Sequence, residues 1–197
     1  MFPLFAANRI AGWILGAAYV IWLLPEIVSS YVIKMPAAAK RNDRYSGTFL
    51  IACIWLGIFA GQWMAFRERQ FAEAWDPAVI FAFGIILMLA GEAFRWYSVR
   101  VLGRYFTRQV AIQPGQTVVE DGPYRWIRHP SYTGAMLTMF GAGLALTNWL
   151  SLFSIMVFAI VGYSYRIWVE EMTLVDALGE PYRDYMRRTK RIIPFII

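Results

Sequence analysis

The chain has 197 residues, of which 59% are hydrophobic and 16% charged, well short of the roughly 25% charged content usual in soluble domains. Its formal charge of +6 comes from Lys and Arg set between long apolar runs, a pattern that speaks for lipid and against a nucleic-acid partner, which would require a solvated basic face. With one cysteine, Cys53, and one histidine, His129, this chain alone has no disulfide framework, multi-histidine metal site or cysteine-ligated cluster.

A bilayer core about 30 Å thick takes about 20 apolar residues per helix, and runs of that kind recur. The first covers about Ile10 to Ile33. Its length, and the Lys34, Lys40, Arg41 and Arg44 that follow, argue for a span and against a cleaved signal peptide. Glu26, beside Pro25 in this run, has no partner nearby in sequence, so a local kink with water access is expected there. The second run covers Gly47 to Phe66 and encloses Cys53, which suits a small packing hydrophobe. Gly12 with Gly16, and Gly57 with Gly61, form Gly-x-x-x-Gly spacings expected to pack these two helices together within a monomer. The third run, Ala78 to Ser98, is interrupted by Glu92 and Arg95. At this spacing they share a helix side and neutralise each other, as a structural pair or as part of a site. The fourth, about Tyr132 to Thr147, and the fifth, about Trp149 to Trp168, are separated by little more than Asn148, which requires a tight helical hairpin.

The expected fold is all-α and integral to the membrane, with about five transmembrane helices. Residues 1–98 form an N-terminal membrane region of three spans, and 99–197 a second region of the two-span hairpin with a polar loop and tail. Fifteen Lys and Arg fall on the side that carries the C-terminus and three, Arg9, Arg67 and Arg69, on the other. By the positive-inside rule the N-terminus is outside and the C-terminus cytoplasmic, in the cell membrane of a prokaryote or the endoplasmic reticulum of a eukaryote.

The longest polar stretch, about Arg100 to Ser131, and the tail from Arg166 onward both fall on the cytoplasmic side. A loop of that length exceeds what closure requires and is where function concentrates. Gln113-Pro114-Gly115-Gln116 reads as a turn, Thr117-Val118-Val119 as an extended piece and Asp121-Gly122-Pro123 as a second turn. Pro130 suits the first turn of the fourth helix. His129 then sits at its positive end, where unpaired N–H groups can receive an anion. On the tail, Arg166 and Glu170 are four apart on one helix face, with Tyr163 on the same side and Glu171 pointing elsewhere; spacing alone makes this a surface ion pair. A further helix begins near Pro181, after Gly179, and its basic Arg187, Arg188, Lys190 and Arg191 suit anionic headgroups.

The string Arg128-His129-Pro130-Ser131-Tyr132-x-Gly134, followed after a hairpin by Glu170-Glu171-x-x-Leu174, then Gly179-Glu180-x-Tyr182-x-x-Tyr185 and Ile193-Pro194-Phe195, resembles the isoprenylcysteine carboxyl methyltransferases. The Arg-His-Pro portion is shared with phospholipid methyltransferases and, more loosely, with membrane sterol reductases. Eukaryotic members carry more spans than this chain. The resemblance implies an S-adenosylmethionine-dependent O-methyltransferase that releases S-adenosylhomocysteine and acts on a lipidic or prenylated substrate among membrane lipids. It also implies a cofactor pocket lined by Gln113, Gln116, Thr117, Val118, Val119, Tyr124, His129, Pro130, Ser131, Tyr132 and Glu170. Arg166 meets the substrate carboxylate, and with Glu170 it forms the catalytic pair. No strand–Gly-rich turn–helix pattern of the soluble S-adenosylmethionine enzymes is present. A carboxylate is already ionised at neutral pH, so its methylation requires alignment and exclusion of water rather than a base. Three rivals are an N-methyltransferase of phospholipid headgroups, against which the cationic Arg166 argues, a reductase using NADPH, and a non-enzymatic membrane scaffold.

Overall fold

Three of the long helices begin where a short polar side chain accepts the first orphan N–H groups. In the computed structural model, which describes residues 3–33, 40–68, 71 and 76–193, Asn8 caps helix α2 (Arg9–Val32), and a four-residue helix α1 (Leu4–Ala7) precedes it. Helix α3 is Ser46–Arg67. Asp76 caps α4 (Pro77–Leu102), with Pro77 in the first turn, where its missing N–H costs nothing. Asn148 caps α6 (Trp149–Leu178) through a bond from the Ser151 N–H at 3.0 Å. Between them lies α5 (Pro130–Ala145), and α7 (Glu180–Arg188) follows the left-handed Gly179.

The helices α2, α3, α4 and α6 are long and apolar enough to cross a membrane. The fourth expected span is the helix α5, with 16 residues. At 1.5 Å per residue it reaches about 24 Å, short of the bilayer core, and most of it is buried against α4 and α6. The hairpin from α5 to α6 turns at Thr147 and Asn148, as their place in the sequence requires.

Glycine explains how α5 is held. Gly84 and Gly91 on α4 oppose Gly134 and Gly141 on α5, and a Cβ on Gly91 would stand 2.6 Å from the Gly134 carbonyl and the Thr138 nitrogen. The two backbones touch, so any side chain there forces them apart. The Gly-x-x-x-Gly pairs that stand out in the sequence work differently from the expectation. Gly57 and Gly61 face Ile155, Phe158 and Ser151 of α6; Gly12 meets the Phe5 carbonyl of α1; Gly16 faces open space. The first two spans are therefore not joined through these glycines. Side chains of α2, α3 and α4 such as Trp13, Phe59 and Val79 are exposed on the outside of the bundle, as a lipid-facing surface demands.

The polar loop is fastened at two places by short backbone pairings. Strand β1 (Lys40–Arg41) runs antiparallel to β2 (Ala111–Ile112), and Asn42 N–H donates to the Val110 carbonyl at 2.9 Å. Further on, Ile127 and Lys190 form a parallel bridge, flanked by Arg128 N–H to the Lys190 carbonyl at 2.7 Å and His129 N–H to the Arg191 carbonyl at 3.0 Å. The C-terminal segment thus lies along the entry to α5.

Candidate active site

Four elements enclose one cleft at the end of the bundle that carries the C-terminus, with an empty volume of about 840 Å³. The loop supplies Tyr105, Phe106 and the run Gln116–Val119; the start of α5 supplies His129, Ser131 and Tyr132; the end of α6 supplies Arg166, Glu170 and Leu174; α7 supplies Tyr182 and Tyr185. The loop wall follows from its turns. Gln116 N–H donates to the Gln113 carbonyl at 3.1 Å, with Gly115 in the left-handed region, and the chain then runs extended through Thr117–Val119 without joining a strand. The N–H and C=O groups of Val118 and Val119 have no protein partner among the described residues, which leaves an open backbone edge on the cleft. At Asp121-Gly122-Pro123 the second expected turn opens a short 3₁₀ helix, Gly122–Arg125.

A relay of side chains crosses the cleft. Arg166 Nε donates to Tyr132 Oη at 3.2 Å, and Tyr132 Oη donates to Glu170 Oε2 at 2.7 Å. The His129 ring stacks on Tyr132 with centroids 5.5 Å apart, and its Nδ1 lies 3.8 Å from the same Glu170 oxygen. Oε1 of Glu170 has no partner among the described residues, and the side chain is 28% exposed. Among the described residues, Glu170 is the carboxylate on the cleft wall with an oxygen to spare. Burial, aided by the Glu170 charge, pushes the phenols of Tyr124 and Tyr182 above their ordinary range, so both stay neutral.

Arg166 is buried and largely committed. Its Nη1 binds Asp43 Oδ1 and donates to Ser46 Oγ at 2.8 Å, and its Nη2 donates to the Arg108 carbonyl at 2.8 Å. Of five guanidinium N–H groups, one on Nη2 is left, which allows a single bond to an incoming group in place of the two-pronged pairing that a free guanidinium offers a carboxylate. Arg166 and Glu170 meet through Tyr132 and not as a direct pair.

These groups can be set against known proteins. The profile of the Isoprenylcysteine carboxyl methyltransferase (ICMT) family matches residues 84–176. A probable protein-S-isoprenylcysteine O-methyltransferase of Oryza sativa subsp. indica is 27% identical over 96% of this chain and 99% of its own length. The protein-S-isoprenylcysteine O-methyltransferase of Xenopus laevis is 33% identical over 57% of this chain and 40% of its own length. A solved structure of the eukaryotic intramembrane Ras methyltransferase ICMT gives a TM-score of 0.56 at 25% identity, covering 79% of this chain and 54% of that one. The chain is similar to the isoprenylcysteine carboxyl methyltransferase family over residues 84–176, just under half of its length. It spans about half the length of that solved chain.

Of the residues that resemblance to this family singles out, Gln116, Thr117, Val118, Val119, Tyr124, His129, Ser131, Tyr132, Arg166 and Glu170 line the cleft. Two stand behind it. Pro130 is buried in the first turn of α5, and the Gln113 side chain turns away to donate to the Arg104 carbonyl at 2.6 Å. The positive end of α5 is also less open than expected, because the N–H groups of Tyr132 and Thr133 already bond to the His129 carbonyl. Only Ser131 N–H remains there among the described residues. Pro194 and Phe195 of the closing motif lie outside the described residues.

Three acidic residues organise the site, and their roles are invisible to local spacing. Glu171, expected to point elsewhere, is buried and accepts from Arg128 Nε at 2.8 Å and Arg191 Nε at 3.0 Å, with His129 Nε2 at 3.3 Å. It ties the Arg-His-Pro entry, α6 and the tail together. Glu26 is not alone: it accepts from Arg95 Nε at 2.6 Å and pairs with Arg108 at 3.4 Å, fastening the loop to α2. Arg95 is therefore spent on Glu26, and Glu92 accepts from the Trp96 indole. Asp43 holds Arg166, the loop at Val110 and the start of α3. The basic cluster of α7 is likewise partnered, Arg188 with Glu120 at 2.8 Å and Arg187 with Asp184 and Glu180, so much of its charge is answered within the chain.

Proposed function

We propose that this protein transfers a methyl group from S-adenosylmethionine to the carboxylate of a prenylated cysteine, or of a similar amphiphile that enters laterally between helices. The observation that carries the proposal is Glu170, a carboxylate on the cleft wall with one oxygen fixed by Tyr132 and the other without a partner. It faces a ligand space also bounded by Thr117–Val119, where the backbone groups of Val118 and Val119 have no protein partner among the described residues. This wall fits the cofactor's chemistry. A partly solvated carboxylate suits its ammonium or ribose hydroxyls, an extended backbone edge suits a polar elongated ligand, and Tyr105, Phe106 and Leu174 supply apolar and aromatic surface for a base. When bound, the cofactor supplies a sulfonium methyl, whose transfer forms an O–C bond while the C–S electron pair returns to sulfur, with no proton moved. Residues 99–197 carry the cofactor's contacts and residues 1–98 the remaining spans.

Arg166 directs its remaining Nη2 N–H to the acceptor carboxylate, and its fixed bonds to Asp43, Ser46, Arg108 and Tyr132 keep that donor in place. The cleft lies on the cytoplasmic side, as supported by the fifteen-to-three distribution of Lys and Arg. Thiol labelling from outside should reach a cysteine placed at Trp149, the exposed residue beside Asn148, and miss one placed at Gly115; the opposite pattern reverses the topology. Titration calorimetry of the detergent-purified protein should show binding of S-adenosylhomocysteine and none of NADPH. Radiolabelled methyl should pass to a farnesylated cysteine analogue and not to phosphatidylethanolamine vesicles. Transfer to the vesicles alone replaces this function with headgroup methylation.

A further inference from the structure

Asp43 lies in the segment before α3, outside the residues 84–176 that match the family profile. It is 4% exposed, and its bonds reach three parts of the site: the loop, the start of α3 and Arg166 of α6. Oδ1 accepts from Val110 N–H of the loop at 3.1 Å, from Ser46 Oγ at 3.2 Å and from Arg166 Nη1, while Oδ2 accepts from Gly47 N–H at 3.3 Å. Gly47 packs directly against the pair: a Cβ there would stand in ordinary van der Waals contact with Arg166 Nη1 at 3.4 Å and Asp43 Oδ2 at 3.5 Å. The carboxylate thus sits against the guanidinium that, in the function proposed above, receives the acceptor.

We propose that Asp43 is a positioning residue of the transfer reaction: it fixes and neutralises Arg166 before the acceptor arrives, so that the acceptor carboxylate is aligned by one hydrogen bond without being held as a full ion pair. This rests on the reading that Arg166 meets the acceptor. The physical reason lies in how charge changes during the reaction. The acceptor begins as an anion and ends as a neutral ester, as the O–C bond forms and the C–S pair returns to sulfur. A bare buried guanidinium would stabilise the anionic reactant more than the transition state, in which that charge is fading, and so would deepen the ground state rather than lower the barrier. With Asp43 in place the guanidinium offers direction with little net charge. Ser46 and the Arg108 carbonyl fix the same plane from two more sides.

Wild-type protein provides the first test. Farnesylated N-acetylcysteine and its uncharged primary amide should bind within about tenfold of each other, as for a hydrogen bond to a neutral site, whereas a preference of roughly a hundredfold for the carboxylate marks an unneutralised charge and overturns the proposal. In Asp43→Asn the carboxylate preference should widen, with KM and kcat both falling several-fold and S-adenosylhomocysteine affinity unchanged. Asp43→Glu should restore the wild-type KM and kcat. A merely structural Asp43 predicts a lower melting temperature with the carboxylate-to-amide preference unaltered, and that outcome also overturns the proposal. If Asp43→Asn does not fold, the wild-type comparison still decides. Failure of the underlying function is separate: it appears in wild type as absent S-adenosylhomocysteine binding or absent transfer.

Discussion

Replacing Glu171 by Gln should damage the protein more than any single contact distance suggests. Its side chain and that of Arg128 are 6% and 7% exposed, and the pair is 2.8 Å apart. Breaking one partner of such a buried pair costs about 3–5 kcal/mol, because a charge is left desolvated. Gln retains an acceptor oxygen for one donor, so the low end, about 3 kcal/mol, applies. Arg191 adds little, as its side chain is 52% exposed and solvent screens it. At roughly 2–4 °C per kcal/mol for a chain of this size, the melting temperature should fall by about 6–12 °C. A thiol-reactive dye can follow the transition in detergent through Cys53, the chain's single cysteine, which is buried until unfolding. Arg191→Gln is the control and should move the midpoint by less than about 3 °C. If Glu171→Gln shifts it no more than that control, Glu171 does not anchor the entry to α5, and Arg128 has its principal support in the Met186 and Thr189 carbonyls.

Glu170→Gln should weaken S-adenosylhomocysteine by about ten- to 150-fold, the value of one charge-assisted hydrogen bond, and unchanged calorimetric affinity would return Glu170 to a partner of Tyr132 alone. Gly91→Ala should lower stability by about 1–3 kcal/mol through overpacking, since its Cβ would stand 2.6 Å from backbone of α5, whereas Gly16→Ala, with nothing within 4 Å, should gain slightly from helix propensity. Equal melting temperatures for the two variants would deny the tight α4–α5 seam. Burial works to raise the Asp43 pKa, but the Val110 N–H and Arg166 outweigh it and hold it below the usual value of 3.8. A depressed carboxylate contributes stability above its unfolded pKa and loses it as pH falls through the folded value. Asp43→Asn should therefore flatten the melting curve's pH dependence only below about pH 4; flattening between pH 5 and 7 contradicts this assignment.

The spans were legible because hydropathy and helix length are local properties, and Ala78–Ser98 differs from α4 mainly by the ends that Asp76 and Gly103 set. The cleft lining was legible through resemblance rather than physics: nothing in the spacing of Thr117–Val119 says that this run borders Glu170. The ion pairs were not legible, because their partners lie far apart in sequence. Glu26 meets Arg95 across 69 positions and Asp43 meets Arg166 across 123. Short-range rules pair Glu92 with Arg95 and Arg166 with Glu170, and tertiary packing overrides both. The seam glycines failed to stand out for a similar reason, since Gly84–Gly91 and Gly134–Gly141 are each seven apart, two turns instead of one.

The way charge is tied up around the cleft bears on which reaction it serves. Arg166 is matched by Asp43 and Arg128 by Glu171, and His129 Nε2 lies against the same Glu171, so the charges of the walls are largely paired, and among the described residues lining the cleft Glu170 is the carboxylate that keeps an oxygen free. Methylation of an amine needs a group that takes up a proton, and a free imidazole would be the natural choice at neutral pH. Here the one imidazole is stacked on Tyr132 and lies between two carboxylates, at 3.3 and 3.8 Å. Methylation of a carboxylate needs no such group, only fixed donors and dry surroundings. Transfer by this protein should then show a flat rate profile between about pH 6 and 8, above the acceptor's own carboxyl pKa. A bell-shaped or steeply rising profile in that range, for the chemical step measured in single turnover, would require a titrating base and would move the assignment toward an amine acceptor.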